Sequence, residues 1–468
     1  MQVPREVVEE VRREENPPPH IITVKNIPTS YTDLQKREVV LAEAQLNIVE
    51  WVYRHEVKHL SEWPRTIGKM LYHEAKIAAS LPPYLREVFK KYRREAMNIV
   101  YDSVIDYELA KKSPAARKYI AEYAEKALRH LDPPPCDLAR AVAVGLIKGR
   151  VYSEIVKVLE KRDLENLGYW TALWLERNRP TGVPLDLAGE PSPEDFEEAY
   201  SELVREGEPE AADYLKEVAE EEGVRFSEDR AALRALVKAY DWYLEHEKKQ
   251  SPFGRAATRL DKWAPGDPPS KLDYYASLSQ SPLLIPGLTT VKRDSRRLEG
   301  LEEPFSYKAV AIVLDDSGSM GYLYKAKAAR KAAVSILALL NRKRVPFQLI
   351  FFGVRAKTVA RGFDYVKAVK ALLRYYPNQN DTRLAPALEL LQGKDLLVYI
   401  ITDAEIHDYA EVANYRGRIK EVVLVIINQG TEKLEEFTQA LGVPTVVYHL
   451  PPSKADEWAV REIRRIVK

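Results

Sequence analysis

The run Ala309-Val310-Ala311-Ile312-Val313-Leu314 is followed at once by Asp315-Asp316-Ser317-Gly318-Ser319-Met320, and this junction decides the fold of the C-terminal third of the chain. Six apolar residues ending in a polar cluster read as a buried strand. In an open parallel α/β sheet, the carboxyl end of such a strand lies at the edge where ligands bind. Asp315, Ser317 and Ser319 alternate there, so one carboxylate and two hydroxyls can turn their oxygens to one point. A small, hard cation such as Mg2+ takes that ligand set. Asp316 falls between the ligands and is not one of them.

From residue 306 onward the sequence alternates strand and helix. Strands are expected at 309–314, 347–353, 396–402, 421–427 and 444–448, and helices at 324–342, 363–375, 384–391, 431–441 and 455–467. Strands separated by helices imply right-handed crossovers and a doubly wound parallel sheet covered on both faces, the α/β class. Two other loops reach the same edge. Asn380-Asp381-Thr382-Arg383-Leu384 precedes a helix, and Val398-Tyr399-Ile400-Ile401-Thr402-Asp403 is a buried strand ending in a carboxylate. Asp315, Ser317, Ser319, Thr382 and Asp403 together supply two carboxylates and three hydroxyls. That set leaves an ion electrophilic, with room for a carboxylate from outside. Phosphotransfer through an aspartyl nucleophile usually wants a second carboxylate two residues on, where this chain has Ser317.

Asp-x-Ser-x-Ser after the first strand, the Thr382 loop and the later Thr402-Asp403 resemble a von Willebrand factor A domain with its metal-ion-dependent adhesion site. The resemblance covers about residues 305–468. Family members often carry Gly-Gly before the threonine, where this chain has Asn380-Asp381, and often Gly after the second Asp, where it has Ala404. Neither departure removes a ligand. The resemblance implies Mg2+-dependent protein recognition, with an acidic residue of the partner completing the ion's coordination. It also implies, by analogy, partnership with an AAA+ ATPase of the MoxR type.

A second motif lies far upstream. His55-Glu56-Val57-Lys58-His59 fits His-Glu-x-x-His, and Leu41, Ala44, Ile48, Val49 and Val52 lead into it at helical spacing. On a helix, positions i and i+4 share a face, so two imidazoles can grip one Zn2+ with Glu56 beside them as general base. A third ligand is needed. His73 and Glu74 follow the break at Pro64, while Asn98, Asp102 and Asp106 form a polar stripe among Ile99, Val100, Val104 and Ile105. A polar stripe on an apolar helix needs buried partners. Asp102 is the preferred ligand, Asp106 or Asn98 the second shell or substitute, and Glu74 a further alternative. His55-Glu56-x-x-His59 with Asn98, Asp102 and Asp106 resembles a two-domain prokaryotic family whose metallopeptidase-like helical domain precedes a von Willebrand A-like domain.

Composition sets the rest. The chain has 468 residues, 71 basic and 70 acidic, so its net charge of +1 disfavours a globally basic nucleic-acid binder. Its one cysteine, Cys136, excludes an intramolecular disulfide. An N-terminus without an apolar h-region and no apolar stretch near 18 residues point to a cytoplasmic, non-membrane protein. The expected organisation is a loose charged arm at 1–20, a helical zincin-like domain at 21–130 with one short strand at 21–24, a helical region at 131–250 after Pro133-Pro134-Pro135, a linker at 251–305 and the α/β domain at 306–468. Residues 194–229 carry fifteen acidic and three basic side chains and read as a solvated helical face. Two other functions stay open. One is a non-enzymatic assembly factor. The other is Ro-like RNA binding, kept open by the basic stretches Lys90-Lys91-Tyr92-Arg93-Arg94 and Lys292-Arg293-Asp294-Ser295-Arg296-Arg297.

Overall fold

The computed structural model describes residues 3–179, 187–250, 260–262, 291–293 and 307–451 (without 323, 404, 405 and 428–433), together with 454, 455, 458 and 462. The chain divides into two units, Met1–Ala235 and Leu236–Lys468. The N-terminal unit begins with helix α1 (Arg5–Glu15), although residues 1–20 were expected to form a loose arm. Charge concealed its amphipathic spacing. Val11 is fully buried, and Glu10 and Glu14 pair with the guanidinium of Arg54, itself only 2% exposed.

A small sheet follows, of which sequence reading found only the first strand. It comprises β1 (Ile21–Lys25), β2 (Tyr31–Asp33), β3 (Glu38–Ala42) and β4 (Leu187–Ala188), in the order β1-β3-β2-β4. Then come α2 (Val49–Ser61), α3 (Ile67–Ser80), α4 (Pro83–Lys91), α5 (Arg93–Lys112) and α6 (Pro114–Ala127). Beyond the proline run lie α7 (Pro135–Val144), α8 (Arg150–Glu160), α9 (Leu164–Asn178), α10 (Pro193–Glu206) and α11 (Pro209–Glu221), while α12 (Glu228–Gln250) crosses the division between units. Pro134 caps α7 and Pro135 is its first residue, where a missing N–H costs nothing.

The helices expected at 131–250 pack on those of 21–130. Helix α7 lies against α5 and α6, α9 against α4 and α5, and α10 and α11 against α3. The acidic stretch is partly spent within this unit: Glu206 pairs with Lys76, Glu217 and Glu221 with Lys90, and Glu222 with Arg93.

The C-terminal unit holds two three-residue strands, β5 (Leu260–Lys262) and β6 (Val291–Arg293), paired antiparallel. The rest of the expected linker at 251–305 lies outside the described residues. A six-stranded sheet contains β7 (Val310–Asp315), β8 (Phe347–Phe352), β9 (Ala356–Gly362), β10 (Leu396–Thr402), β11 (Ile419–Ile427) and β12 (Thr445–Leu450), in the order β12-β11-β10-β7-β8-β9. Helices α13 (Lys325–Lys343), α14 (Tyr365–Leu373), α15 (Ala385–Glu389), α16 (Tyr409–Val412) and α17 (Leu434–Leu441) lie between the strands, except that β8 leads directly into β9 and both α14 and α15 precede β10. The helix expected at 455–467 lies outside the described residues apart from isolated positions.

The sheet is mixed, not purely parallel. β9 runs antiparallel to β8 at one edge, and the remaining pairings are parallel. Its residues Lys357, Thr358 and Arg361 face solvent, so no apolar run marked it. The inner strands are buried on both faces, which is why they read as unbroken apolar sequence. Ala311, Val313, Val398, Ile400 and Leu424 pack with Leu384, Leu388 and Leu391 on one face. Ile312, Leu314, Tyr399 and Ile401 alternate with them and are equally buried.

Ile400 stands on an inner strand with its side chain fully buried. Replacing it with alanine is expected to destabilise the C-terminal unit by about 2–5 kcal/mol in urea unfolding. A loss within experimental error would contradict the packing described.

Candidate metal centres

The N-terminal cluster is built on α2 and α5. Helix α2 buries nearly its whole circumference, and His55 and His59 lie one turn apart with ring centroids separated by 5.1 Å. Asp102 reaches them from α5. Among the described residues, His55, His59 and Asp102 are the group of three whose ligand atoms lie within 4.8 Å of one another, and all three are buried. His55 Nε2 is 3.2 Å and His59 Nε2 3.8 Å from Asp102 Oδ1. Lys58, between the two histidines in sequence, ion-pairs with Glu15 and Glu62.

Neighbouring groups fix the ring orientations. His59 Nδ1 lies 2.7 Å from the Trp63 carbonyl, which can only accept, so Nδ1 carries the proton. Burial and the charge on His55 push the His59 pKa down to about 4, so Nε2 presents a lone pair. That nitrogen and Asp102 Oδ1 are both buried without a hydrogen-bond partner. Beside these two acceptors His55 Nε2 lies 3.2 Å from the same Asp102 oxygen, so a protonated His55 ring, or a metal ion in its place, would supply the positive charge that the buried pair needs.

Asp106 has a different place. Its Oδ1 accepts from Trp51 Nε1 and His55 Nδ1, both at 2.9 Å, and its Oδ2 accepts from Arg140 Nε at 2.6 Å. Burial would raise the Asp106 pKa, but Arg140 and His55 outweigh it and hold the carboxyl well below its usual range. Asp106 thus orients His55 and leaves Nε2 turned toward Asp102, the carboxylate–histidine arrangement found behind metal-bound imidazoles. Burial alone would lower the His55 pKa, yet Asp106 and Asp102 raise it well above normal, so the ring attracts positive charge, proton or metal.

Glu74 is not in this cluster. Its buried carboxylate is held by Arg93 and Tyr214. His73 likewise lies elsewhere, with Nδ1 3.1 Å from the Tyr101 hydroxyl. Asn98 borders the cluster, and its buried Nδ2 has no hydrogen-bond partner.

A cavity of about 310 Å³ opens on these groups, lined by His55, Glu56, Asn98, Asp102, Arg140 and Trp174 among others. The Glu56 carboxylate lies 2.7 Å from the Thr32 hydroxyl of β2, which fixes one of its oxygens. Sequence reasoning missed Arg140, Trp51 and Thr32. Each is brought in from a separate element, and none belongs to a local motif.

The second centre lies at the carboxyl ends of β7 and β10. The connection leaving β7 runs toward β8 and the one leaving β10 runs the opposite way, toward β11, so the crevice between β7 and β10 is the topological switch point. Asp315 ends β7, Thr402 ends β10, and Asp403 follows it directly. Asp315 Oδ2 accepts from the Thr402 hydroxyl at 2.5 Å, and Oδ1 accepts from the Ser317 backbone N–H at 2.9 Å. The hydroxyls of Ser317 and Ser319 are 3.0 Å apart.

The Thr382 loop is stitched to this turn. Gly318 N–H donates to Gln379 O, and Asn378 and Gln379 N–H donate to Asp316 O. Thr382 itself is buried, with its carbonyl accepting from His407 N–H. Burial pushes the Asp315 pKa up to about 6, against the pull of its Thr402 and Ser317 hydrogen bonds, and Asp403 adds to the rise. Asp403 Oδ2 lies 2.8 Å from Lys325 Nζ, whereas its buried Oδ1 has no hydrogen-bond partner. The donors are all oxygen, and they suit a hard divalent cation. Thr402 and Lys325 are the participants that the sequence motif did not single out as site residues.

No protein-family model matches the chain, and no curated protein does. Solved structures similar to part of it include a von Willebrand factor type A protein from Catenulispora acidiphila, with 16% identity, TM-score 0.28 and coverage of 35% of this chain and 43% of that one. The conserved hypothetical protein BatB from Bacteroides thetaiotaomicron matches 34% of this chain and 98% of its own, at 18% identity and TM-score 0.28. An aerotolerance-related membrane protein from Bacteroides fragilis matches the same shares at 17% identity and TM-score 0.25. The chain thus spans less than half the length of the first of these proteins. No described helix is long and apolar enough to cross a membrane.

Proposed function

We propose that the C-terminal unit is a von Willebrand A-type protein-recognition module dependent on Mg2+, joined to a zinc metallopeptidase-like N-terminal unit. The observation that carries the recognition reading is the oxygen cluster at the β7–β10 switch point: Asp315 tied to Thr402, paired Ser317 and Ser319 hydroxyls, and an unpartnered buried oxygen on Asp403. Asp315, Ser317, Ser319, Thr382 and Asp403 would hold Mg2+, which supplies a Lewis-acidic point for an acidic residue of a protein partner. An AAA+ ATPase of the MoxR type fits that role by family analogy only. Lys90 and Arg93 of one basic stretch pair with glutamates of α11 and its C-terminal end, which favours a protein over a nucleic acid as partner.

In the N-terminal unit, His55, His59 and Asp102 would hold Zn2+, which supplies Lewis acidity toward a peptide carbonyl. Glu56 takes the proton of the attacking water as general base, steadied by Thr32. Asp106 keeps the His55 proton on Nδ1, and Arg140 keeps Asp106 ionised. In this reading the C-terminal unit selects the protein on which the N-terminal unit acts.

Elemental analysis of purified protein should find about one zinc per chain. His55→Ala with His59→Ala should lose it, whereas Glu56→Gln should keep the zinc and lose peptide hydrolysis. Zinc unchanged in the double variant would remove the N-terminal reading.

Asp106→Asn is expected to weaken zinc binding by about 10–100-fold in competition with a chelator. Unaltered affinity would mean that Asp106 does not position His55.

Protein capture from a lysate should require Mg2+ and disappear in Asp315→Ala. Capture that persists in EDTA would count against the recognition site.

A further inference from the structure

We propose that Lys325 is a built-in competitor of the C-terminal metal ion: its ammonium group occupies Asp403 and keeps the intrinsic metal affinity low, so that ion and partner load together. The inference rests on the Mg2+ reading of that site. Lys325 Nζ lies 2.8 Å from Asp403 Oδ2, and the side chains are 14% and 3% exposed. A buried carboxylate needs a compensating charge, and before any ion arrives Lys325 provides it.

The position of this lysine is unusual. It is the first residue of α13, where the helix dipole favours an acidic side chain and disfavours a basic one. The residue before it, Tyr324, has φ 62, a left-handed conformation that tyrosine rarely takes. Such backbone persists where the surrounding structure over-determines it. Both features set a cation beside the β7–β10 crevice at some local cost.

A divalent ion at Asp315, Ser317 and Ser319 would share Asp403 with this ammonium group. Two cations a few ångströms apart in a poorly solvated crevice repel strongly. Asp403 Oδ1, buried and without a hydrogen-bond partner, is the atom left for the ion, while Oδ2 stays with Lys325. A carboxylate arriving from a partner adds the negative charge that the crevice then lacks. It raises metal affinity, and by linkage the metal raises partner affinity by the same factor.

The test is calorimetric titration of the full chain with MgCl2 and with MnCl2, comparing wild type, Lys325→Met, Lys325→Arg and Asp315→Ala, with thermal melts to verify folding. Lys325→Met keeps most of the stem and removes the charge, and should bind either metal about tenfold tighter or more. Lys325→Arg keeps the charge and should stay near wild type. Binding that appears only in Lys325→Met also supports the proposal. Equal or weaker binding in Lys325→Met, with wild-type binding still lost in Asp315→Ala, overturns the role of Lys325 and leaves the metal site standing. Binding insensitive to Asp315→Ala, or absent in both wild type and Lys325→Met, overturns the metal reading and the inference with it.

Discussion

Two buried acceptors, His59 Nε2 and Asp102 Oδ1, lie 3.8 Å apart, and His55 Nε2, 3.2 Å from the same carboxylate oxygen, is the neighbour that can carry a balancing proton. A protein interior accepts such an arrangement only when something positive resolves it. The surrounding residues orient both rings. The Trp63 carbonyl accepts from His59 Nδ1–H on the far side of the ring, and Asp106 accepts from His55 Nδ1–H. Arg140, itself satisfied by Asp106 and Asp137, keeps Asp106 charged. Around them, Glu10 of α1 pairs with Arg54 of α2, Glu222 after α11 pairs with Arg93 of α5, and α9 packs on α4 and α5.

The C-terminal unit poses the same physical question in oxygen chemistry. Parallel strands buried on both faces carry Asp315 and Asp403 to one edge, where burial would make two ionised carboxylates expensive. Backbone and hydroxyl donors meet part of that cost at Asp315, and Lys325 meets it at Asp403. The other oxygen of Asp403 stays buried without a hydrogen-bond partner. In each unit, an incomplete set of charges and hydrogen bonds marks the site more clearly than any single residue does.

Sequence reading found what is local or periodic. Buried parallel strands are largely apolar runs, so β7, β8, β10 and β11 were legible, as were the half-buried edge strand β12 from its valines and the i, i+4 spacing of His55 and His59. The polar stripe on α5 offered Asp102 as the candidate third ligand, with Asp106 or Asn98 as substitutes. It preferred Asp102 but held no sign of what occupies Asp106, because Arg140 and Trp51 are brought near only by tertiary packing. β9 escaped because an edge strand needs only one buried face. β2, three residues long, has too few positions to show a period. Helix α1 was hidden by its charge, although Arg54, buried on α2, is what that charge serves. Lys325 gave no signal, since a lysine at a helix start is informative only once Asp403 is known to lie beside it.

Anomalous diffraction from crystals grown with zinc and manganese tests the central claim most directly. The expected result is a zinc peak about 2.0–2.2 Å from His55 Nε2, His59 Nε2 and an Asp102 oxygen, and a separate manganese peak among Asp315, Ser317 and Ser319. Maps without a peak at either place, with His59 Nε2 and Asp403 Oδ1 instead bonded to donors from the protein, would contradict it.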